Sequence, residues 1–180
     1  MSSSIKLQYL SKKSIKEILN SVISRKEISE KFIEFLQNAE DVKMGYTEDF
    51  EIYVFDAIPA LFRVKDFKIY IPTLYALNYF LNTYKIHIVP SVVVDHGAIE
   101  PLKRGADVMM PGIKKINQMF KKEDIVGVLE PQEKYFIVVG IALIDSNNIV
   151  IGGKGKCIAN ISRLDDKIWR ASLQLAKSLG

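Results

Sequence analysis

Apolar positions change period several times along this chain, and the changes divide it into predicted elements. Ile15, Ile18, Leu19, Val22 and Ile23 recur at helical spacing, and Ser14 and Glu17 stand ahead of them in capping-box register. Ser24 and Glu27 repeat that register before Ile28, Phe32, Phe35 and Leu36, so two consecutive helices and one long helix broken near Ser24 fit equally well. The period changes over Asp41–Tyr46, where Gly45 reads as a turn signal. Three short runs follow, EIYVFDA, PALFRV and FKIYI, rich in β-branched and aromatic residues and separated by turn residues at 56–59 and 65–66. They predict an antiparallel meander. Pro72 and Thr73 then open a helix, LYALNYFLNTY, with a broad apolar stripe.

The second half alternates differently. Val92–Val94 reads as a buried strand and Ala98–Arg104 as one short helix. Short strands are predicted near Val108 and over 125–129, 135–144, 149–151 and 156–161, punctuated by Gly, Pro and Asn, a pattern of a small barrel or sandwich. Helical spacing returns over 164–179, and residues 1–4 read as a frayed terminus. The fold class expected is α+β, with an N-terminal α+β domain over 1–88 and a second, strand-rich domain over 89–180 that ends in the C-terminal helix.

Composition narrows the function classes. The chain is 180 residues, 48% hydrophobic and 26% charged, as in an ordinary globular protein with a real core. No apolar run approaches the ~18 residues of a membrane span. One cysteine, Cys157, makes no intrachain disulfide, and an intracellular, cytoplasmic protein is the expectation. Net charge is +4: residues 1–88 carry 12 Lys/Arg against 11 Asp/Glu, and the rest 13 against 10. That permits phosphate binding without requiring it.

Catalytic and metal chemistry find little support. Two histidines, His87 and His96, and one cysteine supply no Cys/His cage with ligand spacing, no DxDxDG loop is present, and no cofactor is implied. GGKGK at 152–156 lacks the GxxxxGK[ST] spacing and reads as a strand-connecting turn. Asp95 and His96 are adjacent, so on extended chain they point to opposite faces, and Asp95 is better placed to cap the helix from Ala98. Cys157 reads as a small buried hydrophobe. Of Met109 and Met110, one is expected in the core and one half-exposed.

The stretch GADVMMPGI, 105–113, holds no reactive side chain, yet its composition is specific. Gly105 follows Lys103 and Arg104, the signature of a helix stop: glycine for the left-handed position and cations against the dipole. Ala106 and Asp107 leave backbone accessible beside that cationic rim, as phosphate and sugar contacts require.

The run VDHGAIEPLKRGADVMMPGI, followed by VVGIAL and KGKCIANISRLDDKIW, resembles the PUA domain of RNA-modifying enzymes over about residues 89–170. The resemblance implies a pseudo-barrel that binds structured RNA through its first helix, the following loop and neighbouring strands. On that basis Gly105, Ala106 and Asp107 line an RNA groove, with Lys103, Arg104, Lys114, Lys115, Lys154 and Lys156 as phosphate contacts. YIPTLYALNYF ahead of IVPSVVVDHGAI, with the preceding helices and meander, resembles the pre-PUA domain of the malignant T-cell amplified sequence proteins and their archaeal counterparts. The ISRLDD segment departs from their histidine-containing version. This resemblance implies a non-catalytic translation protein that contacts a tRNA acceptor end, ribosomal RNA or the small ribosomal subunit during initiation, re-initiation or recycling, with an initiation-factor-like protein as partner. Alternatives are a ribosome-assembly factor, recruiting proteins through a patch of Tyr53, Phe55, Tyr70, Tyr75 and Tyr79, or an RNA-binding subunit of a modification complex.

Overall fold

A computed structural model describes residues 4–180, so of the predicted frayed terminus residues 1–3 lie outside the described residues. The N-terminal half is a five-stranded antiparallel sheet in sequential order, β1 (Lys6–Tyr9), β2 (Val42–Tyr46), β3 (Phe50–Phe55), β4 (Ile58–Val64) and β5 (Ile71–Pro72). Helices α1 (Lys12–Ile23) and α2 (Glu30–Asn38) intervene between β1 and β2, and α3 (Leu74–Tyr84) follows β5. The meander is as expected, although only the last residue of FKIYI joins the sheet.

Several local expectations are corrected. Ser11, not Ser14, caps α1: its hydroxyl accepts from the Ser14 N–H at 3.1 Å. Ser24 ends α1 instead of opening α2, which starts after Ser29. Glu27 is therefore no capping residue. Its almost fully buried carboxylate accepts from Arg25 Nη1 and from the Ile125 N–H, both at 2.8 Å. Gly45 lies mid-strand in β2, where a Cβ would stand 2.9 Å from Ile5 Cγ2 and 3.1 Å from Leu175 Cδ1. It is a glycine of close packing and not of turning. Thr73, as expected, caps α3, accepting from the Ala76 N–H at 2.9 Å. Tyr53 and Phe55 are buried, and Tyr70, Tyr75 and Tyr79 half-buried, so the five aromatics form no common exposed patch.

The second half is a six-stranded sheet: β6 (Ser91–Val94), β7 (Val108–Met109), β8 (Ile113–Ile116), β9 (Ile125–Leu129), β10 (Phe136–Ala142) and β11 (Lys156–Arg163). Their order is β7-β11-β10-β9-β6-β8, antiparallel except for the β6–β9 pair. β7 and β8 thus stand at opposite ends, yet only residues 110–112 separate them in sequence. A flat sheet would place its end strands about 24 Å apart, whereas so short a connection reaches no more than about 14 Å. The sheet must curl on itself, and it forms a nearly closed barrel. Helix α4 (Ile99–Lys103), preceded by a 3-10 turn at His96–Ala98, fills the crossover between β6 and β7. Residues 149–151, predicted as a strand, belong instead to the loop before β11.

Burial explains why Val92–Val94 of β6 and the whole of β9 show no polar alternation. Val92, Val94, Val126 and Val128 point into the barrel core, while Val93, Ile125 and Leu129 join a second core shared with the N-terminal sheet and helices. A strand covered on both faces loses its alternation. The last helix, α5 (Lys167–Leu179), lies against β3 and β4, and its Ile168, Ala171 and Leu175 are buried in the shared core. The chain therefore ends by packing back onto its first half. Among the described residues no helix is long and apolar enough to cross a membrane.

Candidate nucleic-acid interface

Helix α4 stops as its sequence dictates. The Gly105 N–H donates to Leu102 O and the Ala106 N–H to Pro101 O, both at 3.0 Å, the paired bonds of a Schellman stop. Gly105 takes φ +100°, a conformation that an L side chain rarely adopts. The Lys103 and Arg104 side chains project at this end, where the helix dipole favours cations.

A residue the sequence reading did not single out fixes the stop to the sheet. Asn160, on β11, donates from Nδ2 to Leu102 O and Ala106 O at 2.9 Å each, and its backbone N–H donates to Asp107 Oδ1 at 2.9 Å. The other Asp107 oxygen pairs with Lys156 Nζ at 3.3 Å. Asp107 thus tethers the loop to β11, and its carboxylate is committed within the protein. Arg163, also missed, lies over the glycine: a Cβ at Gly105 would stand 3.1 Å from the guanidinium carbon. What places Asn160 here is strand register, which the sequence does not show. Val108 pairs with Ile158, and continuing that antiparallel ladder sets Asn160 against the loop.

These contacts join Gly105, Ala106, Asp107 and Lys156 with Asn160 and Arg163, and Lys103 and Arg104 immediately precede the glycine. Lys103 reaches Asp165 only at 4.0 Å, and Arg104 forms no ion pair among the described residues. Lys154 stands exposed in the glycine-rich loop, which is tied to the segment after β7 by the Met110 N–H donating to Gly155 O at 2.8 Å. Lys114 is exposed on β8, while Lys115 turns to Glu133 in the β9–β10 connection, 3.3 Å away. Met109 is the exposed methionine at 43%, and Met110 packs against the barrel core. Val150 and Ile151, in the stretch predicted as a strand, are 63% and 57% exposed in the loop that carries Lys154.

The remaining candidates are quieter. The Asp95 side chain makes no capping bond, and Asp95 and His96 are both exposed. Cys157 is buried, and that burial pushes its thiol pKa up. Among the described residues no three His, Cys, Asp or Glu side chains gather closely enough to hold a metal ion. The arrangement is a loop fixed by Asn160, with Arg163 on Gly105, Lys156 on Asp107, and Lys103 and Arg104 immediately before the glycine.

Known proteins carry the same architecture. Residues 90–164 match the PUA domain model. A protein of Methanocaldococcus jannaschii is 40% identical over 91% of this chain and 95% of its own length. Malignant T-cell-amplified sequence 1-B of Xenopus laevis is 28% identical over 86% of this chain and 85% of its own. Translation machinery-associated protein 20 of Saccharomyces cerevisiae is 25% identical over 89% and 81%. Among solved structures, a PUA-domain protein of Aeropyrum pernix, crystallised as a tartrate complex, superposes with a TM-score of 0.78 at 25% identity, covering 97% of this chain and 94% of that one. The chain belongs to the PUA-domain family that includes the Methanocaldococcus jannaschii protein, and it is homologous to the malignant T-cell-amplified sequence and translation machinery-associated 20 proteins.

Proposed function

We propose that this is a non-catalytic, cytoplasmic RNA-binding protein of translation, which holds a tRNA or a ribosomal RNA of the small subunit against the α4 stop. The observation that carries the reading is the set of cations at this loop, Lys103 and Arg104 leading into the half-buried Gly105, Arg163 over it and Lys156 on Asp107, with the exposed Ala106 pinned by Asn160. Cations around rigid backbone suit phosphate and sugar, since such contacts supply much of the affinity of protein for nucleic acid. The name of the yeast relative associates it with the translation machinery. The PUA match over 90–164 points to RNA as the ligand class. An initiation-factor-like protein is the partner this reading implies.

Titration of the Lys103→Glu/Arg104→Glu variant with tRNA and with small-subunit RNA tests it. Both changes lie at exposed or half-exposed positions, so the circular dichroism spectrum should be retained, with only a small fall in melting temperature from the reversed charge at the helix end. The log–log salt slope should fall by up to about 1.8 for two lost phosphate contacts. Unchanged affinity and slope for both RNAs would remove this surface from the assignment.

A further inference from the structure

The first sixteen residues hold four lysines, Lys6, Lys12, Lys13 and Lys16, and no carboxylate, a charge equal to the net +4 of the whole chain. They stand on β1 and on the helix just after it, and among the described residues β1 ends the N-terminal sheet and pairs with β2 alone. Alternate N–H and C=O groups of such an edge strand point away from their only neighbour. The strand is nonetheless held firmly from behind, because Ile5 and Leu175 converge on Gly45.

All four β1 residues are exposed, Leu7 at 47% and Tyr9 at 76%. Leu7 lies opposite Gly45 and Tyr9 opposite Lys43, so the two apolar side chains share one face. Lys43 Nζ lies 5.4 Å from the centre of the Tyr9 ring. Lys12 and Lys13 occupy the first turn of α1, where the helix dipole disfavours cations, and that turn has no acidic residue. Positive charge is therefore held at a local cost immediately beside an open, partly apolar strand edge.

We propose that the outer edge of β1 pairs with an extended acidic segment of a partner protein, adding a sixth strand to the N-terminal sheet. Main-chain bonds to β1 would supply affinity, as in strand addition generally. Alternate apolar residues of the segment would lie beside Leu7 and Tyr9, and its carboxylates would meet Lys6, Lys12 and Lys13. A second copy of this chain fits poorly, since pairing β1 with β1 brings two four-lysine segments together. A nucleic acid could use the lysines but would leave Leu7 and the backbone edge unmatched.

The test uses the full chain and three fluorescent probes: a ten-residue peptide alternating valine with glutamate, the same peptide with lysine for glutamate, and a single-stranded oligouridylate. The acidic peptide should bind saturably, slow amide exchange at Lys6–Tyr9 and weaken with salt. Lys12→Glu/Lys13→Glu should weaken it at least tenfold with a melting temperature no lower than the parent's, since carboxylates suit the start of α1, and Tyr9→Ala severalfold with the fold retained. Lys103→Glu/Arg104→Glu should bind it normally, which separates this edge from the RNA surface. Equal binding of the lysine peptide, no protection of β1, or displacement of the acidic peptide by oligouridylate from the same amides would each overturn the proposal.

Discussion

The side-chain amide of Asn78 and the backbone of Phe136 exchange two hydrogen bonds: Nδ2 donates to Phe136 O at 3.1 Å, and the Phe136 N–H donates to Oδ1 at 2.6 Å. Asn78 thereby acts on β10 as a short strand would, and it does so from α3, in the other half of the molecule. Asn78→Ala removes both partners and leaves a buried N–H unsatisfied, at a cost of about 2 kcal/mol. Urea denaturation should show that loss as a lower midpoint. Asn82→Ala, one turn further along the same helix and exposed, should stay within about 0.5 kcal/mol of the parent.

Gly105 makes a sharper test of the α4 stop. Gly105→Ala forces a Cβ onto φ +100° and against the Arg163 guanidinium. It should cost more than about 1 kcal/mol, and it should also weaken RNA binding by displacing Arg163. Arg163→Ala separates the two effects. RNA affinity should fall and the salt slope drop by about 0.7–0.9, while thermal stability changes little. A stability loss in Arg163→Ala as large as that of Gly105→Ala would recast the arginine as a structural brace.

What was legible in the sequence follows from range. The Gly105 stop and the Thr73 cap rest on neighbours within a few residues, and both stand in the structure as expected. Glu27 resembled a capping residue because its partner, the Ile125 N–H, lies 98 residues away. Gly45 resembled a turn because β1 gives no alternation signal: all four of its residues face water, and without β1 nothing explains a glycine there. Val150 and Ile151 looked like strand because apolar composition carries no information on which apolar residues stay exposed. Asn160 and Arg163 needed the β7–β11 register, a tertiary fact.

Helix α5 is continuous in sequence with the barrel yet buries Leu175 in the shared core. Leu175→Ala should cost about 2–5 kcal/mol. Because the core is shared, tryptophan fluorescence of Trp169 and far-ultraviolet dichroism should lose signal in one common transition at a lower midpoint. Two separated transitions in this variant would show that the halves unfold independently.

Cys157 follows Lys156 on β11, and burial raises its thiol pKa. The native protein should therefore resist iodoacetamide at pH 8.5 and react readily in 6 M guanidinium, since the thiolate is the nucleophile. The linkage has a definite sign. An acid whose folded pKa exceeds its unfolded value costs nothing while both states hold the proton, and it destabilises the fold as pH rises above the unfolded value, ordinarily near 8.5 for a thiol. Stability should thus decline from about pH 8 upward, and Cys157→Ala should flatten that part of the decline. Rapid native alkylation, or an identical pH profile in Cys157→Ala, would show that the thiol titrates freely and that β11 opens beside the proposed RNA surface.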